Sequence, residues 1–363
     1  MKYLLAILCC LLPLGLAAAE SVRWTGRYPR DAAWYATPQH RVVADTMVAY
    51  QFPSGGWPKN IDMGVKLSAG ERGELKARAK DESTIDNGAT TTQIRMLAAF
   101  FVATNDERYR KSVERGLVYL LAAQYPNGGW PQYFPLRAGY YEHITFNDNA
   151  MAEVLGVLRD VAVGIAPFAW VEESLRMKAG GAVARGIGCI LKCQVVQNGR
   201  PTIWGAQHDV KTFAPAWARN FEPPSLASME SAGIVRFLMS LPQPHPAIIA
   251  AIEGAVEWFE ANQISGIRWD KTDASPSGEA DRLVVVDPSA PPLWARFYEL
   301  GTNRPLFAGR DGKVRYKVEE IERERRLGYA WYVNTPLALL QKDYPAWKAR
   351  LAKSVPPSPA SQP

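Results

Sequence analysis

An eight-residue signature recurs along this chain and limits what it can fold into. Gln51-Phe52-Pro53-Ser54-Gly55-Gly56-Trp57-Pro58 returns as Gln124-Tyr125-Pro126-Asn127-Gly128-Gly129-Trp130-Pro131. A weaker copy is Gln194-Val195-Val196-Gln197-Asn198-Gly199-Arg200-Pro201, and a degraded one is Gln263-Ile264-Ser265-Gly266-Ile267-Arg268-Trp269. The glutamines stand 73, 70 and 69 residues apart. Apolar residues precede the first copy at Val43 and Met47, the second at Val113, Leu117 and Leu120, and the fourth at Ile248, Ile252, Val256 and Phe259. Those spacings are helical. The Gly and Pro that follow end each helix and turn the chain.

Each turn leads through an irregular stretch into a second helical pattern. Thr84-Ile85-Asp86-Asn87 opens 88–103, Thr145-Phe146-Asn147-Asp148 opens 149–163, and Glu222-Pro223-Pro224-Ser225 opens 226–241. The unit is helix, turn, long loop, helix. A helix pair cannot bury its apolar face alone, whereas repeated pairs can. The expectation is an all-α toroid of helix pairs whose mouth gathers the loops. Few short strands are needed, and Leu283–Val286 is the best candidate.

The ends read differently. Met1-Lys2-Tyr3, an apolar run from Leu4 to Leu16, and Ala17-Ala18-Ala19 are the parts of a secretory signal with cleavage after Ala19. No later stretch is apolar enough to span a bilayer, so no membrane attachment is expected. The organisation is thus a signal over 1–19, one catalytic domain over 20–353, and a Pro/Ser-rich disordered tail over 354–363. A secreted or periplasmic monomer is expected. Cys9 and Cys10 leave with the signal. Cys189 and Cys193 share one helical face, where a disulfide is strained, so they read as buried thiols. Lysine and arginine exceed aspartate and glutamate by 42 to 36 without any like-charge block. A nucleic-acid surface concentrates its basic residues more than this, whereas a carboxylate-bearing partner suits a mild excess.

Asp86-Asn87 and Asp148-Asn149 stand at matched places before second helices. Capping explains one such pair. Two, both near the mouth, also supply the hard oxygens that calcium takes, with water and an acidic substrate completing the shell. Arg219 and Arg310 lie in irregular loops among Gly, Pro and aromatic residues, and arginine suits bidentate carboxylate binding. Arg219 is placed before a helix start, where the other repeats carry Asp86 and Asp148. No nucleophile elbow, Walker loop or dinucleotide fingerprint is present.

Six stretches together resemble pectate lyases of polysaccharide lyase family ten. They are Gly55-Gly56-Trp57-Pro58-Lys59-Asn60, Thr84-Ile85-Asp86-Asn87-Gly88-Ala89-Thr90, Thr145-Phe146-Asn147-Asp148-Asn149-Ala150-Met151, Trp204-Gly205-Ala206-Gln207-His208-Asp209, Ala218-Arg219-Asn220-Phe221-Glu222-Pro223-Pro224-Ser225 and Gly309-Arg310-Asp311-Gly312. The resemblance runs from about residue 35 to 345. It implies an (α/α)3 toroid that cleaves polygalacturonate by calcium-assisted β-elimination to 4,5-unsaturated products. It places the calcium on Asp148, Asp86 and Asn87, and catalysis on Arg219, as the base, and Asp86. Arg310, Asn149, Arg315 and Tyr316 would bind the uronate chain. An arginine beside calcium would lose its proton more readily, because like charges disfavour its charged form.

Other readings use the same residues. Asp86 and Asp148 could serve as the acid and base of a glycoside hydrolase on a helical toroid. The Gln-x3-Gly-x-Trp spacing also matches the repeats of squalene-type terpene cyclases, but their Asp-x-Asp-Asp acid is missing. A pectin-binding protein without catalysis is the third alternative.

Overall fold

The computed structural model describes residues 21–26, 31–272 and 279–354. The expected signal, Cys9 and Cys10, and residues 355–363 of the expected tail lie outside them. The glutamine turns fall where consecutive helices meet. Arg41–Tyr50 ends at Gln51, Glu107–Ala122 ends just before Gln124, and Glu173–Cys193 ends at Gln194. The second helices are Thr91–Thr104, Ala150–Val163 and Ser228–Met239. Each packs on the first helix of the following unit: Thr91–Thr104 on Glu107–Ala122, Ala150–Val163 on Glu173–Cys193, and Ser228–Met239 on Pro246–Ala261. Left-handed residues at Asn105 and Gly164 close two of these second helices. Among the described residues, no helix is long and apolar enough to cross a membrane.

One side-chain device is repeated at the turns. The indole N–H of Trp57 donates to Met47 O, that of Trp130 to Leu120 O and that of Trp204 to Ile190 O, each at 2.7 Å. The Gln51 amide donates to Gly55 O within its own turn and to Ser112 O in the next unit, both at 2.8 Å. Gln124 does the same with Gly128 O and Ala182 O, and Gln194 with Thr202 O and Ala251 O. Thus each glutamine closes its own turn and ties it to the next helix. Gly55 and Gly128 have φ of 101° and 94°, and a Cβ at either would strike the Arg115 or Arg185 carbonyl. Only glycine lets the backbones approach so closely.

The fourth unit departs from the expected spacing. Its indole clamp is Trp294, which donates to Phe259 O at 2.9 Å. Trp269 instead packs near Tyr332 with ring centroids 5.4 Å apart. The reason is an inserted hairpin, Ile267–Thr272 paired with Asp281–Val286, which lies between Ile264 and its bridge partner Leu293, the residue before the clamp tryptophan. Leu283–Val286, the expected strand, belongs to this hairpin.

The chain is therefore not all-α. Among the described residues twelve strands form several antiparallel sheets, including a four-stranded one that joins Leu226–Ala227, Phe297–Tyr298, Pro305–Ala308 and Val314–Arg315. The helical period of the sequence hides them because most are two residues long. They form because the loops after the tryptophans are buried, and buried peptide groups must pair. Those pairings fix the register between units. Thr84 N–H donates to Trp57 O, Thr145 N–H to Trp130 O and Ala227 N–H to Trp204 O. The next residues repeat the pattern, with Ile85, Phe146 and Ser228 donating to Gln132, Ala206 and Arg296. Asp86 is thus the counterpart of Asn147, and Asn87 of Asp148. Asn87 and Asp148 share a left-handed conformation, at φ of 52° and 49°. The expected match of Asp86 with Asp148 is off by one residue.

Cys189 and Cys193 are buried free thiols. Replacing Gln124 by alanine removes the amide bonds to the Gly128 and Ala182 carbonyls and so the tie between the turn and the next helix. A loss of about 2 kcal/mol in unfolding free energy is expected from urea denaturation. An unchanged midpoint and slope would show that the clamp does not tie the units together.

Candidate active site

The turn 86–88 and the turn 147–149 pack side by side ahead of their helices. The Asn147 amide joins them, donating to Asp148 Oδ2 at 2.9 Å and to Asp86 Oδ1 at 3.4 Å. Two of the expected residues, Asp86 and Asp148, therefore meet at one place. Each carboxylate also has a cation. Lys59 pairs with buried Asp86, and Arg296 Nη2 lies 3.3 Å from Asp148 Oδ1. Lys59 and Arg296 occupy the same position, two residues after the clamp tryptophans Trp57 and Trp294. The sequence reading missed both cations, although the spacing from Trp57 to Lys59 lay within a quoted motif. Burial opposes the Lys59 charge, but Asp86 outweighs it and raises the ammonium above its ordinary value.

Behind Asp148 lies an acid that sequence reasoning also missed. Glu230 is fully buried and accepts from Arg296 Nη2. Burial opposes both charges of the pair and pushes the Glu230 carboxyl up. Glu230, Tyr329 and Asp148 nonetheless hold Arg296 above its ordinary value. The contact of Arg296 Nη2 with Glu230 is that of an ion pair, and the guanidinium keeps its charge.

Arg219 is joined to this centre through the Tyr329 ring, and not from the expected position. It lies nine residues before Ser228, in the loop rather than at the helix start. Glu222 accepts from its Nε at 2.8 Å and from its Nη2, while Tyr329 Oη donates to the same carboxylate at 2.6 Å. The Tyr329 ring lies 4.5 Å from the Arg296 guanidinium and 5.5 Å from that of Arg219, so it links the Asp148 centre to Arg219. Burial works against the Arg219 charge, yet Glu222 outweighs it and raises the group. This is the reverse of the shift expected from a cationic surrounding. The missed signal was Glu222, three residues on in the same motif.

The remaining expected residues divide. Arg310 lies 5.5 Å from the Phe221 ring, which Arg219 approaches to 4.7 Å, so the two arginines flank one aromatic. The Asn87 amide turns to Asn60 Oδ1 at 3.0 Å. Asn149 sets its amide oxygen, buried without a hydrogen-bond partner, in the notch left by Gly233. Arg315 chelates Asp311, and Tyr316 bonds Glu299 beneath the Arg304 guanidinium. Among the described residues, these partners hold Arg315 and Tyr316, and neither side chain is tied to Asp148 or Arg219.

No group of three or more acidic, histidine or cysteine side chains suited to a metal occurs among the described residues. Asp86 and Asp148 nevertheless offer hard oxygens side by side, and the Asp148 side chain is 33% exposed. Such a set fits a calcium ion that is shared with substrate and water, not one enclosed by protein. Two hollows meet at Gly88. One is lined by Trp24, Lys59, Asn60 and Asn87, and the other runs from Asp148 to Arg95 and Asp160. Arg219 lines neither.

His208 supports the loop that carries Arg219. Its Nδ1 donates to Phe213 O at 2.7 Å, and its Nε2 accepts from Gly205 N–H at 2.9 Å. A proton on Nε2 would face that N–H, and burial pushes the imidazole down to about 4. The unfolded imidazole takes up a proton near 6.5. Stability from His208 is therefore complete above about pH 6.5 and is lost towards pH 4, by about 3 kcal/mol. Urea midpoints at pH 7 and pH 4.5 should differ strongly for the native chain and less for His208→Gln. Equal differences would contradict the assignment.

The pectic acid lyase family model matches residues 51–340. A family 10 polysaccharide lyase from Cellvibrio cellulosa is 33% identical, covering 91% of this chain and 100% of its own, with a TM-score of 0.77. An aspartate-to-alanine mutant of a family 10 polysaccharide lyase from the same organism, in complex with trigalacturonic acid, is 34% identical. It covers 85% of this chain and 93% of its own, with a TM-score of 0.73. No curated protein matches.

Proposed function

We propose that this chain, which belongs to the pectic acid lyase family and is a polysaccharide lyase, cleaves polygalacturonate by calcium-assisted β-elimination. The observation that carries this reading is the Asn147 bridge. It sets Asp86 and Asp148 together at the cleft that Tyr329 connects to Arg219. The trigalacturonic acid complex of the related lyase supports a uronate chain as substrate. Such a polymer is met outside the cytoplasm, in keeping with the export expected from residues 1–19.

In the elimination, the C5–H and C4–O bonds of a galacturonate break and a C4–C5 double bond forms. The C5 proton passes to the base, and the leaving oxygen takes a proton from solvent. The difficulty is charge, because C5 already carries a carboxylate. Calcium held by Asp148 and Asp86, with Asn87 alongside, would draw negative charge from that carboxylate. Asn147 keeps the two acids at one spacing. Lys59 and Arg296 keep them from repelling each other when the site is empty.

Arg219 is the base in this reading. Glu222 engages Nε and Nη2 and so fixes the plane of the guanidinium. Nη1 takes no part in that pair, and the side chain is 44% exposed. Proton abstraction at Nη1 requires a neutral guanidinium, which Glu222 opposes, so activity should favour alkaline pH. That same pairing favours a second reading, in which Arg219 stays charged and clamps a substrate carboxylate.

Incubation with polygalacturonate and calcium should produce ultraviolet absorbance from the new double bond. A chelator should abolish it and added calcium restore it. New reducing ends without absorbance would indicate hydrolysis instead. Arg219→Lys separates the two roles of the arginine, because lysine's single nitrogen ends a shorter, more flexible stem. As base, Arg219→Lys should lower kcat roughly a hundredfold at alkaline pH with little change in KM, since a displacement of about 1 Å has that effect. Retained kcat with a raised KM would assign the clamp.

A further inference from the structure

Glu230, the acid of the ion pair beneath Asp148, has no part in the reaction as derived above. Glu230 is the third-unit counterpart of Asn87 and Asp148, three residues after the paired positions Thr84, Thr145 and Ala227. It is 0% exposed. A buried carboxylate is costly without a partner. That partner is Arg296 Nη2, which also reaches Asp148 Oδ1 at 3.3 Å and Asn147 Oδ1 at 3.4 Å. One nitrogen is thus divided among three acceptors. The contact with Glu230 is the shortest, and Glu230 is the only one of the three that is fully buried.

The charges around this nitrogen decide what Asp148 can do. Lys59 offsets Asp86. Arg296 alone would offset Asp148 and leave the centre neutral. With Glu230 present, one negative charge remains. It falls to Asp148, whose side chain is 33% exposed, and not to Glu230, which solvent does not reach. A divalent cation is drawn to a centre that keeps a negative charge and not to a neutral pair.

We propose that Glu230 is a positioning residue that absorbs the charge of Arg296 and so frees Asp148 to share a cation with the substrate. The proposal rests on the calcium-dependent reading given above. It differs from a packing role in one respect. A packing residue affects the fold, whereas Glu230 sets the affinity of a site it does not touch.

The test is calorimetric titration of calcium into protein saturated with trigalacturonic acid at pH 7, below the expected range of rapid turnover. Thermal unfolding is followed alongside. Glu230→Gln keeps the shape and removes the charge. Its calcium affinity should fall about tenfold, the size of one lost charge interaction at partly exposed distances. Its kcat at saturating calcium should stay within about twofold, since the base is untouched. The double variant Glu230→Gln/Arg296→Gln removes both charges and leaves Asp148 anionic, so its calcium affinity should return to within about threefold of the native value. Unchanged affinity in folded Glu230→Gln would overturn the proposal. So would a double variant as weak as the single one. If Glu230→Gln does not fold, the double variant decides by the same criterion. A native chain that neither binds calcium nor forms absorbing products would place the failure in the proposed function instead.

Discussion

Everything at the active centre depends on the indole clamp and the glutamine beside it. Each tryptophan is tied to the helix before it, and each of the first three glutamines ties its turn to the helix after it. These bonds are buried or half-buried, so leaving them unmade would strand the indole N–H donors away from water. Peptide groups of the chain after Trp130, Trp204 and Trp294 then pair with those of the preceding unit. This transfers the order of the helices to the loops. It places Lys59 and Arg296, two residues past their clamps, beside the acids that open the second helices.

The result is a centre in which charge is arranged before any ligand arrives. Asp86 and Asp148 are bridged by one amide, each is attended by a cation, and one of those cations is shared with a buried third acid. Arg219 is joined to this centre through Tyr329 and is itself held by Glu222. Left-handed turns at Asn87 and Asp148 aim the loops. Such conformations are uncommon outside glycine and are best tolerated by Asn and Asp. Those residue types therefore serve the backbone as well as the chemistry.

The helix pairs were legible because their apolar period is long and their stops carry Gly and Pro. Apart from Leu283–Val286, the strands were not, because two-residue pairings leave no alternating pattern. The fourth tryptophan was misplaced for a related reason. An inserted hairpin moved the clamp from the expected Trp269 to Trp294, and no local spacing records an insertion. Asp86, Asp148, Arg219 and Arg310 were found as motif residues. Their partners were not, since Arg296 and Glu230 approach Asp148 from distant parts of the chain. Asn149 was named as a substrate residue through the resemblance, and its amide oxygen lies against Gly233. The direction of the shift at Arg219 was misjudged because its nearest charge is the Glu222 carboxylate.

The central claim is that the repeat brings Asp86 and Asp148 together to hold one cation between protein and uronate. The most direct measurement is a crystal structure of an Arg219→Lys variant with calcium and trigalacturonic acid. The account predicts an ion in contact with Asp148 and Asp86 that also touches a carboxylate of the sugar, with Arg296 still seated on Glu230. An ion bound elsewhere, or a uronate carboxylate seated directly on Arg296 in its place, would contradict it.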